Sequence, residues 1–401
     1  MAVRIAEGVY WVGAVDWEVR NFHGHSYRTH RGTSYNAYLV VDEKIALVDT
    51  VVAGFEEEMF RRIAEVVDPA RIDYLVANHG EPDHTGAIPA VLARAPQAVL
   101  VCSRRGVDSL GKYYPHIREP QVVGSGDAIS LGRKTLAFLE APMLHWPDSM
   151  FTYIPEDRLL LPNDAFGQHL ASAHRFADEV EPAVLWDEAR KYFANILTPF
   201  SALILRKVEE VQKLGLQIEV IAPSHGLIWR QNPMQIVEQY VRWARGEARP
   251  QALVVYETMW GSTAEMAHAI AEGIAESGAE VHVYALPQED ITTVVGALLE
   301  ARGLVVGSAT HNRRPLLHIA ALMEDLVGLR PVNKMGAAFG SHGWGGGAVP
   351  LLEKALREAG IEVVQDGLAL AWRPSAEERA RAAAFGRAFG ERVKSTGGGS
   401  G

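Results

Sequence analysis

An uninterrupted apolar run in the second half of the chain places the strongest constraint on the fold. Residues Ala252 to Tyr256 do not alternate between apolar and polar side chains, so they predict a strand covered on both faces, as in a parallel sheet. Further strands are predicted at 280–284, 303–307 and 335–339. Helices are predicted at 264–276, 292–301, 317–327 and 349–359. This alternation predicts a doubly wound α/β domain.

The first half of the chain has a different pattern. Short apolar runs bounded by polar turns predict strands at 9–12, 38–41, 45–48 and 72–76. Helices are predicted over 56–67 and, with an amphipathic pattern, over 233–245. Polar clusters at the strand ends indicate an α/β sandwich whose loops form one site at the sheet edge.

The pattern changes near Arg249. We therefore predict a first domain over residues 1–248 and a second over 249–394. The remaining residues, 395–401, are rich in glycine and are interpreted as a flexible tail or a cloning scar. A chain of 401 residues also exceeds what a single core usually occupies, which agrees with two domains.

Charge and hydropathy exclude several classes of function. The formal net charge of −10 argues against a nucleic acid partner, because phosphate binding needs clustered Lys and Arg. No apolar run is long enough to span a bilayer, and the first residues lack the apolar segment of a signal peptide. We therefore expect no membrane contact and a cytoplasmic location. The one cysteine, Cys102, excludes an internal disulfide and a rubredoxin-type iron site.

A dense group of metal-binding side chains follows the strand predicted at 72–76. His79, Glu81, Asp83 and His84 stand within six residues. Three more candidates are interpreted as lying at strand ends further along the chain, namely His145, Asp164 and His225. Four imidazoles and three carboxylates can bind two metal ions, and a carboxylate with two oxygens is suited to bridge them. Three carboxylates favour iron or manganese over zinc.

The run His79-Gly80-Glu81-Pro82-Asp83-His84 resembles the H-x-E-x-D-H signature of flavo-diiron proteins. Segments 31–38 and 191–197 are also similar to that family. The resemblance implies that His79, Glu81 and His145 hold one iron, that Asp83, His84 and His225 hold the other, and that Asp164 bridges. It further implies a metallo-β-lactamase-like αββα sandwich followed by a flavodoxin-like doubly wound parallel sheet. It places His25 and Tyr192 near the metals, as donors of protons or hydrogen bonds.

Three loops of the second domain predict a flavin site. The first joins a strand to a helix, and hydroxyl and backbone N–H groups at a helix N-terminus can hold a phosphate. It lacks the G-x-G-x-x-G pattern that a dinucleotide requires, so the monophosphate of FMN fits better. The candidate FMN-binding residues are Thr258, Met259, Trp260, Gly261, Ser262, Thr263, Ser308, Ala309, Thr310, His311, Asn312, Ser341, His342, Gly343, Trp344 and Gly345. These loops also resemble the FMN loops of the same family.

The resemblance implies an oxidoreductase that reduces nitric oxide to nitrous oxide, dioxygen to water, or both. FMN would pass electrons from a separate donor, such as rubredoxin or a flavin/NADH reductase, to a non-haem diiron site. A head-to-tail homodimer, or a dimer of dimers, would bring each FMN to the metals of the other chain. Two alternatives stay open from the residues alone. They are a dizinc hydrolase fused to a flavodoxin domain, and an electron-transfer flavoprotein with a vestigial metal domain.

Overall fold

The computed structural model describes residues 1–24 and 26–395. The chain divides into two compact units. The first comprises Met1–Tyr192 and Ala202–Val241, and the second comprises Phe193–Ser201 and the chain from Arg242 onward. The second unit thus includes a short segment from the middle of the chain. The domain bounds given above, with a boundary near residue 249, stay a prediction.

The first unit is built mainly of short strands. They are β1 (Val3–Ala6), β2 (Val9–Trp11), β3 (Ala14–Asp16), β4 (Asn21–Phe22), β5 (Tyr27–Arg28), β6 (Thr33–Tyr35), β7 (Tyr38–Val41), β8 (Ile45–Val48), β9 (Tyr74–Ala77), β10 (Val99–Ser103), β11 (Gln121–Val123), β12 (Ala128–Ser130), β13 (Thr135–Glu140), β14 (Met150–Ile154), β15 (Leu159–Leu161) and β16 (Val220–Ile221). All or most of each helix in this half also lies in the first unit: α1 (Glu56–Ala64), α2 (Pro82–Thr85), α3 (Ile88–Arg94), α4 (Gly106–Tyr113), α5 (Pro182–Tyr192), α6 (Ser201–Lys213) and α7 (Met234–Ala244).

Two sheets form the centre of the first unit. One has the strand order β1-β2-β7-β8-β9-β10-β11, and the other has the order β12-β13-β14-β15-β16. One core cluster takes side chains from both, including Val48 and Val76 of the first sheet and Phe138 and Leu161 of the second. The two sheets therefore pack face to face as the layers of the predicted sandwich.

Helix α1 shows why the elements begin and end where they do. Its first turn carries Glu56, Glu57 and Glu58, and its last turn carries Arg61 and Arg62. Negative charges at the N-terminus and positive charges at the C-terminus interact favourably with the helix dipole and stabilise the helix. The helix ends earlier than predicted from the sequence, at Ala64. After Ala64, the N–H groups of Glu65 and Val66 bond to carbonyl oxygens three residues back, which tightens the end of the helix.

The second unit alternates strands and helices. Its strands are β17 (Arg249–Glu257), β18 (Glu280–Ala285), β19 (Ala301–Ala309), β20 (Met335–His342), β21 (Glu362–Val363) and β22 (Leu368–Ala371). Its helices are α8 (Ser262–Glu276), α9 (Ile291–Glu300), α10 (Leu317–Leu329), α11 (Ala348–Glu358) and α12 (Ala376–Ser395). The main strands run parallel in the order β18-β17-β19-β20-β22, which is the flavodoxin-like order of a doubly wound sheet.

Helices cover both faces of this parallel sheet. Helices α8 and α12 pack on one another and on β17, whereas α9, α10 and α11 pack on strands β17, β19 and β20 and on one another. Residues Leu253, Val254 and Val255 of β17 are fully buried. The doubly wound domain predicted from the apolar run at 252–256 is therefore what the chain forms.

Helix α12 and strand β22 were absent from the sequence-based prediction. The helix has six small alanines among charged residues rather than a clear apolar stripe. The helix lies close to α8, because glycines at the contact have no side chains that would hold the two backbones apart. A Cβ added to Gly386 would lie 2.0 Å from the Ile270 carbonyl oxygen, and one on Gly273 would lie 1.9 Å from that of Ala383. Such contacts depend on the partner helix, so the local apolar pattern did not reveal them.

None of the helices within the described residues is long and apolar enough to cross a membrane.

We expect Gly386→Ala to destabilise the second unit by about 1–3 kcal/mol, since the new methyl group collides with the backbone of α8. Gly328→Ala is the matched control. Gly328 lies in helix α10, and among the described residues nothing lies within 4 Å of where its Cβ would be. Without a clash, replacing a helical glycine by alanine stabilises by up to about 1 kcal/mol. Urea unfolding of the two variants measures both effects, and equal midpoints would contradict the proposed helix contact.

Candidate functional site

The seven predicted metal ligands come together at one edge of the two-sheet sandwich. His79, Glu81, Asp83 and His84 follow β9 of the first sheet. The other three follow strands of the second sheet, with His145 after β13, Asp164 after β15 and His225 after β16. Ligand atoms of all seven fall into two groups, each with its atoms within 4.8 Å of one another. The structure therefore brings together residues that are far apart in sequence.

Helix α2 explains how four ligands fit within six residues. The chain leaves β9 in extended conformation, and Glu81 is the residue before the helix, with φ −67° and ψ 140°. Pro82 then begins the helix, where its fixed φ and missing N–H are tolerated. The single helical turn carries Asp83 and His84. An extended residue followed by a turn thus directs alternating side chains toward two neighbouring points.

The first metal subsite is formed by His79, Glu81 and His145. The Nε2 atom of His79 lies 3.1 Å from Oε2 of Glu81, and Nε2 of His145 lies 3.5 Å from the same oxygen. All three side chains are largely or fully buried. Three ligand atoms that face one another across such distances can surround one metal ion.

The second metal subsite is formed by Asp83, His84 and His225. Oδ2 of Asp83 lies 3.1 Å from Nε2 of His225 and 3.4 Å from Nε2 of His84. All three residues are buried. This arrangement repeats that of the first subsite, with an aspartate in place of the glutamate.

Asp164 joins the two subsites. Its Oδ2 atom lies 3.4 Å from Nε2 of His145 and 3.7 Å from Nε2 of His79. Its Oδ1 atom lies 3.0 Å from Nε2 of His84 and 3.5 Å from Nε2 of His225. Each carboxylate oxygen therefore faces one subsite, which is the geometry that a bridging ligand requires.

The buried polar atoms fit two cations. Among the described residues, Oδ1 of Asp83, Oδ2 of Asp164 and Nε2 of His84 have no hydrogen-bond partner, although all are buried. Leaving such atoms unpaired costs about 1–3 kcal/mol each, and a bound metal would satisfy them. The donor set of imidazoles and carboxylates suits iron in particular.

The electrostatics of the cluster point the same way. Burial alone lowers the pKa of the imidazoles of His79, His84 and His145, but the facing carboxylates outweigh it and raise each pKa to about 9. Burial raises the pKa of Glu81 and of Asp164, yet the surrounding imidazoles hold both well below the usual range of a carboxyl group. The site therefore attracts positive charge, which protons supply unless a metal ion displaces them.

A histidine that the sequence analysis did not select also reaches the cluster. His23 lies between β4 and β5, and its Nε2 atom lies 3.2 Å from Oε1 of Glu81. Its ring centre lies 6.1 Å from that of His145. His23 was not predicted as a site residue, because no local pattern in the sequence links a residue near the N-terminus to Glu81. The predicted neighbour His25 lies outside the described residues.

Tyr192 is buried beside the second subsite. Its ring centre lies 6.3 Å from that of His225 and 5.0 Å from that of His169. Burial raises the pKa of its hydroxyl well above the usual value, so the group stays protonated. His169, also missed in the sequence, is fully buried, and its Nδ1 atom lies 2.8 Å from Oγ1 of Thr33. The catalytic role of Tyr192 stays a prediction.

The predicted flavin residues lie at the carboxyl edge of the parallel sheet in the second unit. Thr258–Thr263 follows β17, the loop with Thr310, His311 and Asn312 follows β19, and Gly343–Gly345 follows β20. Strands β17 and β19 are neighbours at which the order of the sheet reverses. Ligands of doubly wound sheets bind outside the strand ends at this point.

The start of helix α8 fits a phosphate group. Gly261 precedes the helix with a φ of 89°, and its N–H donates to Oγ1 of Thr258 at 3.1 Å, which folds the loop. Among the described residues, nothing lies within 4 Å of where a Cβ of Gly261 would be. The N–H groups in the first turn of a helix have no partner within the helix and attract anions. This turn can therefore hold the phosphate of FMN.

Exposed aromatic side chains surround the same edge. The side chains of Trp260 and Trp344 are 93% and 97% exposed, and Met259 is also exposed. Trp372, which follows β22, has its ring centre 6.3 Å from that of Trp344. Large apolar side chains grouped on a surface mark a binding site, and the flat ring system of a flavin can cover them. Trp372 was not predicted as a site residue, because the preceding strand β22 was not predicted from the sequence.

Some of the predicted flavin residues hold the loops themselves. The buried hydroxyl of Ser308 donates to the Ala309 carbonyl and accepts the N–H of Leu316, both at 2.8 Å. The buried hydroxyls of Thr263 and Ser341 lie 2.8 Å apart. The remaining two predicted residues, Ser262 at the start of α8 and His342 at the end of β20, are half-buried. Direct contact of these residues with FMN stays a prediction.

Comparison with known proteins covers both units. The family described as "ODP family beta lactamase" matches residues 33–226, and the flavodoxin family matches residues 254–386. These two matches, in this order, confirm the predicted fold class of a metallo-β-lactamase-like sandwich followed by a flavodoxin-like domain.

Relatives match the chain along almost its whole length. A nitric oxide reductase of Moorella thermoacetica is 51% identical over 393 residues, which is 98% of this chain and 98% of that protein. The structure of rubredoxin oxygen:oxidoreductase from the anaerobe Desulfovibrio gigas has a TM-score of 0.97 at 34% identity and covers 99% of this chain and 100% of its own. The structure of the flavodiiron protein from Giardia intestinalis has a TM-score of 0.94 at 34% identity and covers 98% of this chain and 97% of its own.

We expect Asp164→Asn to reduce the bound iron of both subsites, because the amide supplies one weakly coordinating oxygen where a carboxylate supplies two. The FMN content should be unchanged, since Asp164 lies in the first unit and the flavin loops lie in the second. Asp108→Asn, on the exposed side of α4, is the matched control and should retain both cofactors. Iron analysis and flavin absorbance of the purified proteins measure the outcome. Full iron content in Asp164→Asn would contradict the bridging role.

Proposed function

This chain belongs to the flavodiiron protein family, and we propose that it reduces nitric oxide to nitrous oxide, dioxygen to water, or both. Membership confirms the resemblance that the sequence predicted from the run at His79 to His84. It also confirms the predicted cofactors, because the flavodoxin domain implies FMN and the family implies a non-haem diiron site.

One observation carries the proposal. The two carboxylate oxygens of Asp164 face two separate ligand groups, so the chain provides for two adjacent metals rather than one. The residues of the two groups would hold two adjacent irons, which would supply one electron each and a place for a diatomic gas, and FMN at the second unit would supply further electrons. Reduction of two nitric oxide molecules consumes two electrons and two protons and yields nitrous oxide and water. Dioxygen takes four electrons and four protons to give two waters.

Protons must reach the gas from side chains near the metals. We propose that His23 serves this step and that Tyr192 donates a hydrogen bond near the second subsite. His23 contacts Glu81 at 3.2 Å and is partly exposed to solvent, so it links the first subsite to the surrounding water. Tyr192 keeps its hydroxyl proton at neutral pH because burial raises its pKa. It is therefore suited to donate a hydrogen bond. The role that the family resemblance implies for His25, donation of protons or hydrogen bonds, stays a prediction.

The alternative of a dizinc hydrolase has less support. A hydrolase would use a metal-bound hydroxide and has no use for a flavin, whereas this chain carries a flavodoxin domain. Glu81 also adds a carboxylate to the first subsite, and carboxylates favour iron over zinc. The vestigial-domain alternative is disfavoured as well, because all seven ligands are present and converge.

The function is tested anaerobically with the reduced, iron-loaded enzyme. Consumption of nitric oxide and of dioxygen is followed in separate experiments, together with the iron and FMN content. We expect at least one gas to be consumed, and we expect Glu81→Ala to lose about 100-fold or more of that rate. Among the described residues, Glu81 is the one carboxylate of the first subsite that is not shared with the second. An enzyme with full iron and FMN that consumes neither gas would refute the proposal.

We propose a rubredoxin-type protein as the electron donor, with a flavin/NADH reductase as the alternative. Support comes from the name of the Desulfovibrio gigas relative, which pairs rubredoxin with oxygen. The one cysteine of this chain cannot form the thiolate-ligated iron site of a rubredoxin. We also propose a cytoplasmic location, in keeping with a chain that has no pair of cysteines to form a disulfide.

We further propose a head-to-tail homodimer, or a dimer of dimers, in which the FMN of one chain serves the metals of its partner. The proposal rests on the family resemblance and on the need to bring two cofactors, held by separate units, within reach of electron transfer. Closed symmetric dimers are also the commonest assemblies of soluble proteins.

Mixed dimers test this arrangement. Asp164→Asn removes the metals of one chain, and Ser262→Glu places a negative charge at the start of α8, where it repels the FMN phosphate. Each variant alone should be inactive. Coexpression should restore about a quarter of the wild-type activity, because half of the dimers are mixed and each of these has one working pair across the interface. No recovery, with mixed dimers isolated, would show that each chain uses its own FMN.

A further inference from the structure

Asp148 lies behind the first metal subsite, in the loop between β13 and β14. Its side chain is only 3% exposed, and both of its oxygens are occupied. Oδ1 lies 3.1 Å from Nδ1 of His79. Oδ2 accepts the N–H of Gly80 at 2.8 Å and the hydroxyl of Ser109 at 2.7 Å. Asp148 thus touches a predicted metal ligand on the side that faces away from the metals.

These contacts fix which nitrogen of His79 carries the proton. An ionised carboxylate only accepts hydrogen bonds, so Nδ1 of His79 must be the donor to Asp148. In the neutral imidazole, Nε2 then has a free lone pair. That atom faces the carboxylates of Glu81 and Asp164, where the first subsite lies. Asp148 therefore presents His79 in the tautomer that a metal requires.

Among the described residues, no carboxylate is hydrogen-bonded to Nδ1 of either histidine of the second subsite. Nδ1 of His225 lies 2.7 Å from the carbonyl oxygen of Ser34, which is a neutral acceptor. Nδ1 of His84 is buried and has no hydrogen-bond partner among the described residues. A charged acceptor makes an imidazole a stronger electron donor to its metal than a neutral acceptor does. The two subsites are therefore unequal in their supporting contacts.

The backbone at Gly80 lies directly against the Asp148 carboxylate, and this close contact holds Asp148 in place. A Cβ on Gly80 would lie 2.5 Å from Oδ2 of Asp148 and 2.2 Å from Oγ of Ser109. The backbone beside His79 thus approaches the carboxylate as closely as a glycine permits. In addition, the hydroxyl of Ser103 donates to the Asp148 carbonyl at 2.8 Å, which holds the aspartate from the other side.

We propose that Asp148 is a positioning residue that makes the first subsite the tighter of the two, so that this subsite takes up its metal first and loses it last. The inference rests on the dinuclear site of the proposed function. It assigns an order of metal loading to two subsites that have the same kinds of ligand. The second subsite is then the one that is emptied when iron is scarce.

The decisive variant is Asp148→Asn. The amide oxygen can still accept the bonds from Gly80 and Ser109, which leaves the NH₂ group facing Nδ1 of His79. His79 must then accept at Nδ1 and carry its proton on Nε2, the atom that binds the metal. We expect the affinity of the tighter binding step to fall about 10–100-fold, and the weaker step to change little.

Cobalt(II) titration of the metal-free, FMN-loaded protein measures the two steps, because cobalt bound by nitrogen and oxygen ligands absorbs visible light. His225→Ala assigns the steps, since it damages the second subsite alone and should leave the tighter step intact. Ser109→Ala is the matched control. It removes one bond to Asp148 but keeps the contact with His79, so both steps should remain within about threefold of the wild type.

Three results would overturn the inference. One is a tighter step of unchanged affinity in Asp148→Asn. Another is an equal loss in both steps accompanied by a lower melting temperature of the metal-free protein, which a merely structural role predicts. The third is loss of the tighter step in His225→Ala. If wild-type protein binds fewer than two cobalt ions, the dinuclear site itself fails, and the proposed function fails with it.

Discussion

The sharing of one buried carboxylate between two groups of imidazoles is the constraint on which the rest of the first unit depends. Asp164 is almost fully buried and lies within 3.7 Å of four histidine nitrogens. Such a concentration of charge and unpaired polar atoms is unfavourable unless cations compensate it. The two sheets, the one-turn helix α2 and the loops after β13, β15 and β16 place these groups with the accuracy that two neighbouring metals demand. The hydrophobic core between the sheets supports that placement.

In the second unit, the predicted flavin site depends on the order of the strands and on the start of one helix. A parallel sheet whose order reverses between β17 and β19 opens a crevice at its carboxyl edge, and the start of α8 adds an anion site there. The predicted flavin site needs few specific side chains, because backbone N–H groups at the start of α8 and exposed indole rings are available at this edge. Buried hydroxyls such as those of Ser308 and Thr263 shape the loops from within.

The sequence was informative where a signal is local. The apolar run at 252–256 predicted its strand, and four ligands within six residues predicted the metal loop. Helix α12 and Trp372 were missed, because the helix is defined by glycine contacts with α8 and the tryptophan follows a strand of only four residues. His23 and Asp148 were missed for a related reason. Their contacts with Glu81 and His79 cross 58 and 69 residues of sequence, respectively, and neither residue type signals such a contact by itself.

The predicted metal ligands follow strands of both sheets, and this affects the order of folding and metal insertion. His79 follows a strand of the first sheet and His225 follows the last strand of the second, so metal binding requires both sheets to have formed and met. Metal insertion is therefore a late event, after the chain has closed its longest loops. Once bound, the ions act as cross-links that oppose separation of the sheets. Loss of metal would then loosen the sandwich at this edge before it affects the core.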